Sequence, residues 1–230
     1  MKRIELLDVW RSLAILLMAA YHFIYDLYMF DVITRSQLDS PWALALRLGA
    51  VGSFMLISGA VVRFSRNSVR RGAVVFCCGM LVTLVMRFMG MAVQFGVLHN
   101  LGTMMIAYGL ISKKVRTPKG LWFPILCAAV FALTYYIGDN VRVETHLLIP
   151  LGLRYPGFTS ADYYPLFPWG MIFAVGVWFG GKLGSWRERF PLLQRKFHPA
   201  LTIAGRHSLL IYLAHQPILY GICWVIWGMN

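Results

Sequence analysis

Short polar loops along this chain alternate between strongly basic and nearly uncharged, with an apolar stretch separating each from the next. That alternation selects the solvent before any motif is read. A helix crossing hydrocarbon needs about 20 apolar residues. Seven stretches meet or approach that length, at about 9–30, 41–62, 72–92, 95–111, 120–138, 163–181 and 200–228, the fourth being unusually short. The basic side is built from Lys2 and Arg3, from Arg63, Arg66, Arg70 and Arg71, from Lys113, Lys114, Arg116 and Lys119, and from Lys182, Arg187, Arg189, Arg195 and Lys196. The opposite loops hold only Arg35, Arg142 and Arg154. Lys and Arg concentrate in cytoplasmic loops. The expected architecture is therefore an all-α, polytopic membrane helix bundle of about seven spans in the cytoplasmic (inner) membrane, amino terminus inside and carboxyl terminus outside.

Composition agrees with that solvent. Of 230 residues 59% are hydrophobic, too many for the polar surface of a soluble domain. The net charge of +13 would suit a nucleic-acid binder, but the basic residues flank apolar runs in short loops, which marks the inner face of a membrane protein and excludes nucleic acid as a partner. Cys77, Cys78, Cys127 and Cys223 all lie in apolar segments without CxxC spacing, so no disulfide and no metal site is expected. Met1-Lys2-Arg3 before an apolar run mimics a signal peptide, yet Glu5, Asp8 and Arg11 interrupt it and apolar character continues past Ala20, so a retained first span is expected. The chain reads as one integral-membrane domain over 1–230. Its longest outer loop, about 139–162, carries an apolar patch at 146–153 suited to the membrane interface. Gly176 and Gly180 stand in GxxxG spacing, which lets helices approach closely. The sequence shows no internal repeat, which counts against an inverted-repeat transporter.

An ionisable side chain in hydrocarbon costs roughly 2.5–3.5 kcal/mol on insertion scales and normally faces a protein interior or cavity. His22 lies about 20 Å beyond the cytoplasmic start of the first span, and Asp26 follows one turn later on the same face. Arg11 and Met18 share that face. His99 on the fourth span, and His215 with Gln216 on the seventh, fall at similar outer depth, as do Arg47 and Arg87. Arg206 and His207 sit at the inner rim, where His207 reads as structural. A carboxylate beside imidazoles provides a general base or an imidazole nucleophile, so His22, Asp26, His99 and His215 are the candidate catalytic set. Arg11 and Arg206 are candidates for holding phosphates, and Arg47, Arg87, Asp162 and Gln216 for contacting substrate. A transporter or channel lined by the same cluster, and a non-catalytic envelope assembly protein, are the competing classes.

Four stretches resemble one family. They are Arg3-Ile4-Glu5-Leu6-Leu7-Asp8-Val9-Trp10-Arg11-Ser12-Leu13-Ala14 with Tyr21-His22-Phe23-Ile24-Tyr25-Asp26-Leu27; Phe95-Gly96-Val97-Leu98-His99; Asp162-Tyr163-Tyr164-Pro165-Leu166-Phe167-Pro168-Trp169; and Gly205-Arg206-His207-Ser208 through His215-Gln216-Pro217. Together they resemble bacterial membrane proteins related to heparan-α-glucosaminide N-acetyltransferase. The resemblance implies a transmembrane acyltransferase that moves an acetyl group from cytosolic acetyl-CoA, its co-substrate, to an extracytoplasmic sugar, amino sugar or glycan, with no tightly bound cofactor. Three departures stand beside it. Ser12 occupies a position where members often have glycine, the animal enzyme has more spans, and its outer-loop histidine has no counterpart at 31–40. His22 is thus a candidate by position and chemistry, not a matched residue.

Overall fold

The computed structural model describes residues 4–115 and 117–228; Lys2, Arg3 and Arg116 of the basic side lie outside the described residues. The chain is 75% helical without a strand among those residues. In order, the helices are α1 (Glu5–Met29), the short α2 (Arg35–Leu38), α3 (Pro41–Val62), α4 (Ser68–Phe88), α5 (Val97–Ile111), α6 (Trp122–Asn140), α7 (Leu166–Arg189), α8 (Pro199–Arg206) and α9 (Ser208–Trp227), with single 3₁₀ turns at His146–Leu151 and Pro191–Leu193. Six of them, α1, α3, α4, α6, α7 and α9, are long and apolar enough to cross a membrane. At about 1.5 Å per residue α5 is only about 22 Å long, short of a hydrocarbon core about 30 Å thick.

The boundaries follow local chemistry. Helix α3 begins on Pro41, whose missing N–H costs nothing in a first turn, and ends at Val62, within the expected limits. Helix α4 starts earlier than hydropathy suggests because the Asn67 side chain accepts from the Arg70 N–H at 2.9 Å and caps it. The expected seventh span divides at His207, whose backbone (φ −103°, ψ 25°) leaves the helix. The cause is tertiary. The Gly205 N–H donates to Ser12 Oγ at 2.7 Å. A Cβ on Gly205 would strike the Asp8 carbonyl oxygen. Helix α8 is thereby held against α1, and α9 sets off from the break. Pro217 stands inside α9.

Two compact units result. The first comprises the chain up to Phe54 and from Arg187 onward; the second is Met55–Trp186. In the first, α1 packs against both α8 and α9. Its core is Ala14, Ile15, Met18, Ala50 and Phe54, with Ile211 and Tyr212 laid against it. In the second, α4 packs along α5 through Gly72 and Gly102, each facing the other helix with no room for a Cβ. Helices α3 and α7 meet the same way. A Cβ on Gly59 would enter the Phe173 carbonyl, and one on Gly176 or Gly180 would enter the carbonyls of Leu56 or Ala60. Lipid tails are as apolar as leucine, so hydrophobicity does not drive these contacts and close backbone approach does. For the same reason Leu16, Leu81, Ile125 and Leu210 stand exposed on the helices, as lipid-facing residues do.

Candidate active site on α1 and α9

Four polar side chains meet between α1 and α9. On α1, His22 and Asp26 share a face at i,i+4. On α9, His215 and Gln216 are consecutive, so their side chains diverge by about 100° and each reaches a different partner. His215 Nε2 lies 2.8 Å from His22 Nδ1. Gln216 Nε2 donates to Asp26 Oδ1 at 2.7 Å. The pairing is crossed relative to sequence expectation: His22 is oriented by an imidazole, and Asp26 is engaged by a carboxamide.

One further contact fixes where the hydrogens sit. His215 Nδ1 is 2.6 Å from the Tyr212 carbonyl oxygen. A carbonyl only accepts, so Nδ1 carries the hydrogen, and the neutral ring leaves Nε2 as an acceptor. His22 Nδ1 must then be the donor in the pair. In the neutral His22 ring the lone pair then sits on Nε2. The order is carbonyl, imidazole, imidazole, lone pair, the arrangement by which an oriented histidine becomes a base.

The Asp26–Gln216 half has the opposite surplus. Asp26 is 1% exposed. Its Oδ2 and the Gln216 Oε1 are buried and, among the described residues, lack any hydrogen-bond partner. Two acceptor oxygens without donors are costly inside a protein. A ligand bearing N–H or O–H groups would satisfy both.

The other end of α1 carries a different polar group. Arg11 is 8% exposed; its Nη1 donates to the Gly205 carbonyl at 3.2 Å and lies 3.6 Å from Asp8 Oδ1. Ser12 Oγ donates to the Asp8 carbonyl at 3.0 Å. Glu5 accepts from the Phe197 N–H at 2.8 Å. These side chains anchor the polypeptide before and within α8. Arg206, at the end of α8, is exposed. Arg47 places its guanidinium carbon 5.9 Å from the Tyr21 ring centroid, a cation–π contact beside the His22 turn. Arg87 is exposed in the last turn of α4.

His99 and Asp162 belong to the second unit, where both serve the start of α5. His99 Nδ1 accepts from the Gly96 N–H at 3.2 Å, and its Nε2 lies 3.5 Å from Thr83 Oγ1. Asp162 Oδ2 accepts from the Val97 N–H at 3.0 Å. Gly96 is required there, since a Cβ would collide with that carboxylate. Burial pushes the Asp162 carboxyl up to about 6, against the opposing pull of the Val97 hydrogen bond. Asn100, fully buried, donates to the carbonyls of Tyr164 and Pro165 at 3.0 and 2.7 Å, which ties the segment before α7 to α5.

Of the expected site residues, His22, Asp26, His215 and Gln216 come together. Tyr212 was not anticipated. Its contribution is a backbone carbonyl one turn before His215, and a backbone group leaves no mark in a sequence.

A family model described as heparan-alpha-glucosaminide N-acetyltransferase, catalytic, matches residues 3–217. The chain belongs to this family of membrane acetyltransferases. The match takes in α1, with His22 and Asp26, and runs through His215 and Gln216 to Pro217. Comparison with curated proteins and with solved structures yields no match.

Proposed function

We propose that the chain transfers an acetyl group from cytosolic acetyl-CoA to an amine or hydroxyl of an extracytoplasmic sugar or glycan, with His22 Nε2 as the base. The observation that carries this reading is the 2.8 Å His22–His215 contact, whose polarity is set by the Tyr212 carbonyl. The family membership supports the acetyl transfer, and the charge alternation of the loops supports an inside amino terminus in the cytoplasmic membrane.

The chemistry follows from the two surpluses. The acceptor's N–H or O–H groups satisfy Asp26 Oδ2 and Gln216 Oε1, which hold the nucleophile beside His22. His22 Nε2 takes the proton as the nucleophile attacks the thioester carbonyl carbon. The carbon–sulfur bond then breaks, and the departing thiolate recovers the proton from His22. The imidazolium formed in between keeps its Nδ1–H on His215 Nε2, so the positive charge is met by an acceptor already in place. Acetyl-CoA supplies the activated acyl group and a polyanionic nucleotide end. Exposed Arg206 and the basic loops suit the phosphates, whereas Arg11 is already engaged with Asp8 and Gly205 and serves this reading as the clasp that positions Arg206.

The test is transfer by the purified full chain in proteoliposomes, with radiolabelled acetyl-CoA and a panel of amino sugars and neutral saccharides. Label appearing in the saccharide fraction supports the reading. No transfer to any acceptor, together with saccharide flux in the absence of acetyl-CoA, would replace it with a transporter.

A further inference from the structure

The 3₁₀ turn His146–Leu151 is held rigidly yet presents leucine outward. Leu147 is 85% exposed and Leu151 45%, while Ile149 between them is buried. A set of hydrogen bonds holds the turn in this orientation. Arg142 Nη1, Arg154 Nε and Arg154 Nη2 all donate to the Gly138 carbonyl, at 3.1, 3.1 and 2.6 Å, in the last turn of α6. The Val143 N–H donates to the Arg154 carbonyl at 3.0 Å and closes the neck of the loop. Tyr163 Oη donates to the Ile149 carbonyl at 2.9 Å. Gly152 takes a positive φ of 110°, and a Cβ there would strike the Phe167 carbonyl at the start of α7.

The turn is therefore fixed at the level where two membrane-length helices, α6 and α7, end and begin. In a bilayer crossed by α6 and α7, that level would fall at the boundary between headgroups and acyl chains. Two further features belong there. Rings run from His146 to Tyr155, Phe158 and Tyr163 at centroid spacings of 4.3, 5.5 and 4.6 Å, and tyrosines concentrate at membrane interfaces. The guanidinium groups of Arg142 and Arg154 lie at its base; Arg154 is paired with the Asp139 carboxylate, and exposed Arg142 is the cation placed to meet a lipid phosphate.

We propose that the turn His146–Leu151 lies in the headgroup–acyl boundary of the leaflet at the α6–α7 end, with Leu147 inserted among the acyl chains as its anchor. The occupant of this apolar face is lipid, continuous with the lipid that surrounds α6. The inference stands apart from the acetyl-transfer reading, since it uses none of the groups on α1 or α9.

The test uses the full chain with Cys77, Cys78, Cys127 and Cys223 replaced by serine or alanine. Single cysteines are introduced as Leu147→Cys, Leu151→Cys, Glu144→Cys or Thr159→Cys, and each is spin-labelled. All four positions are exposed, so labels are accommodated without repacking, and circular dichroism checks the helix content. After reconstitution into phosphatidylcholine–phosphatidylglycerol vesicles, power saturation compares accessibility to oxygen with accessibility to a water-soluble nickel chelate. Labels at 147 and 151 should favour oxygen several-fold over nickel relative to labels at 144 and 159. Nickel accessibility at 147 equal to that at 144 overturns the proposal in favour of a solvated turn. Protection at 147 from both reagents overturns it in favour of a protein partner or a second copy.

Discussion

The two ends of α1 carry polar residues on one helix face and use them in opposite ways. At the amino-terminal end, Asp8, Arg11 and Ser12 engage one another and the backbone of Gly205, and α8 is the result. Toward the carboxyl end, His22 and Asp26 engage side chains on α9, and the exchange leaves a nitrogen lone pair and two oxygens without donors. A buried polar group that closes onto backbone stabilises a contact. A group that closes onto another side chain and still has capacity left over is available to a ligand. On the proposed function the difference separates architecture from chemistry on a single helix.

The largest effect should come from the chemical end. His22→Ala should lower kcat by roughly 10²–10⁴-fold, the range of a lost general base, with helix content unchanged by circular dichroism. His215→Ala should cost less, because His22 then loses its orienting acceptor but keeps its base. Equal losses in both variants would mean that the two rings act as one unit.

Next in size is the structural end. Gly205→Ala pushes a methyl group into the Asp8 carbonyl and should destabilise the fold by about 1–3 kcal/mol, read as a lower midpoint in thermal unfolding of the detergent-solubilised chain. If activity falls while that midpoint holds, the contrast between the two ends of α1 fails.

Asp26→Asn retains an oxygen to accept from Gln216 but removes the charge facing the proposed acceptor. It should raise the acceptor KM by about tenfold, the equivalent of some 1.4 kcal/mol, and leave the acetyl-CoA KM unchanged. An effect on kcat alone would place Asp26 in proton transfer instead.

The smallest effect belongs to the second unit. The Asp162 carboxyl is raised from 3.8 to about 6, so the folded chain binds that proton more tightly than the unfolded one. The stabilisation is complete below about pH 4 and is lost as pH rises through about 6. Asp162→Asn preserves an acceptor for the Val97 N–H and removes the titration. Denaturation midpoints measured from pH 4 to 7 should therefore fall less steeply for this variant than for the parent chain.

Much of this was legible in the residues. Apolar length and loop charge locate the spanning helices, because hydrocarbon admits few alternatives to a helix. Proline marks the start of α3, whereas α4 begins at Ser68, ahead of the expected 72, because hydropathy does not register the Asn67 cap. The break at His207 was not legible, since it depends on Gly205 reaching the Asp8 backbone from nearly 200 residues away. The spacing of His22 and Asp26 announced a site, and the adjacent His215 and Gln216 announced another polar step. Which bonded to which was not written there: helix rotation and the Tyr212 carbonyl decide it. His99 looks the same as His22 on a hydropathy plot, yet its Nδ1 is taken up by the Gly96 N–H.

Pro217 directly follows the two α9 residues that reach α1. Having no N–H, it cannot donate to the carbonyl of Leu213, and its ring crowds that same oxygen. The helical ladder therefore lacks a rung beside the site. Bending α9 at this joint requires no hydrogen bond to break, so His215 and Gln216 can tilt against α1 while both flanking segments stay wound. The missing rung thus lies beside His22, the proposed base, and the three side chains that orient it or hold its acceptor.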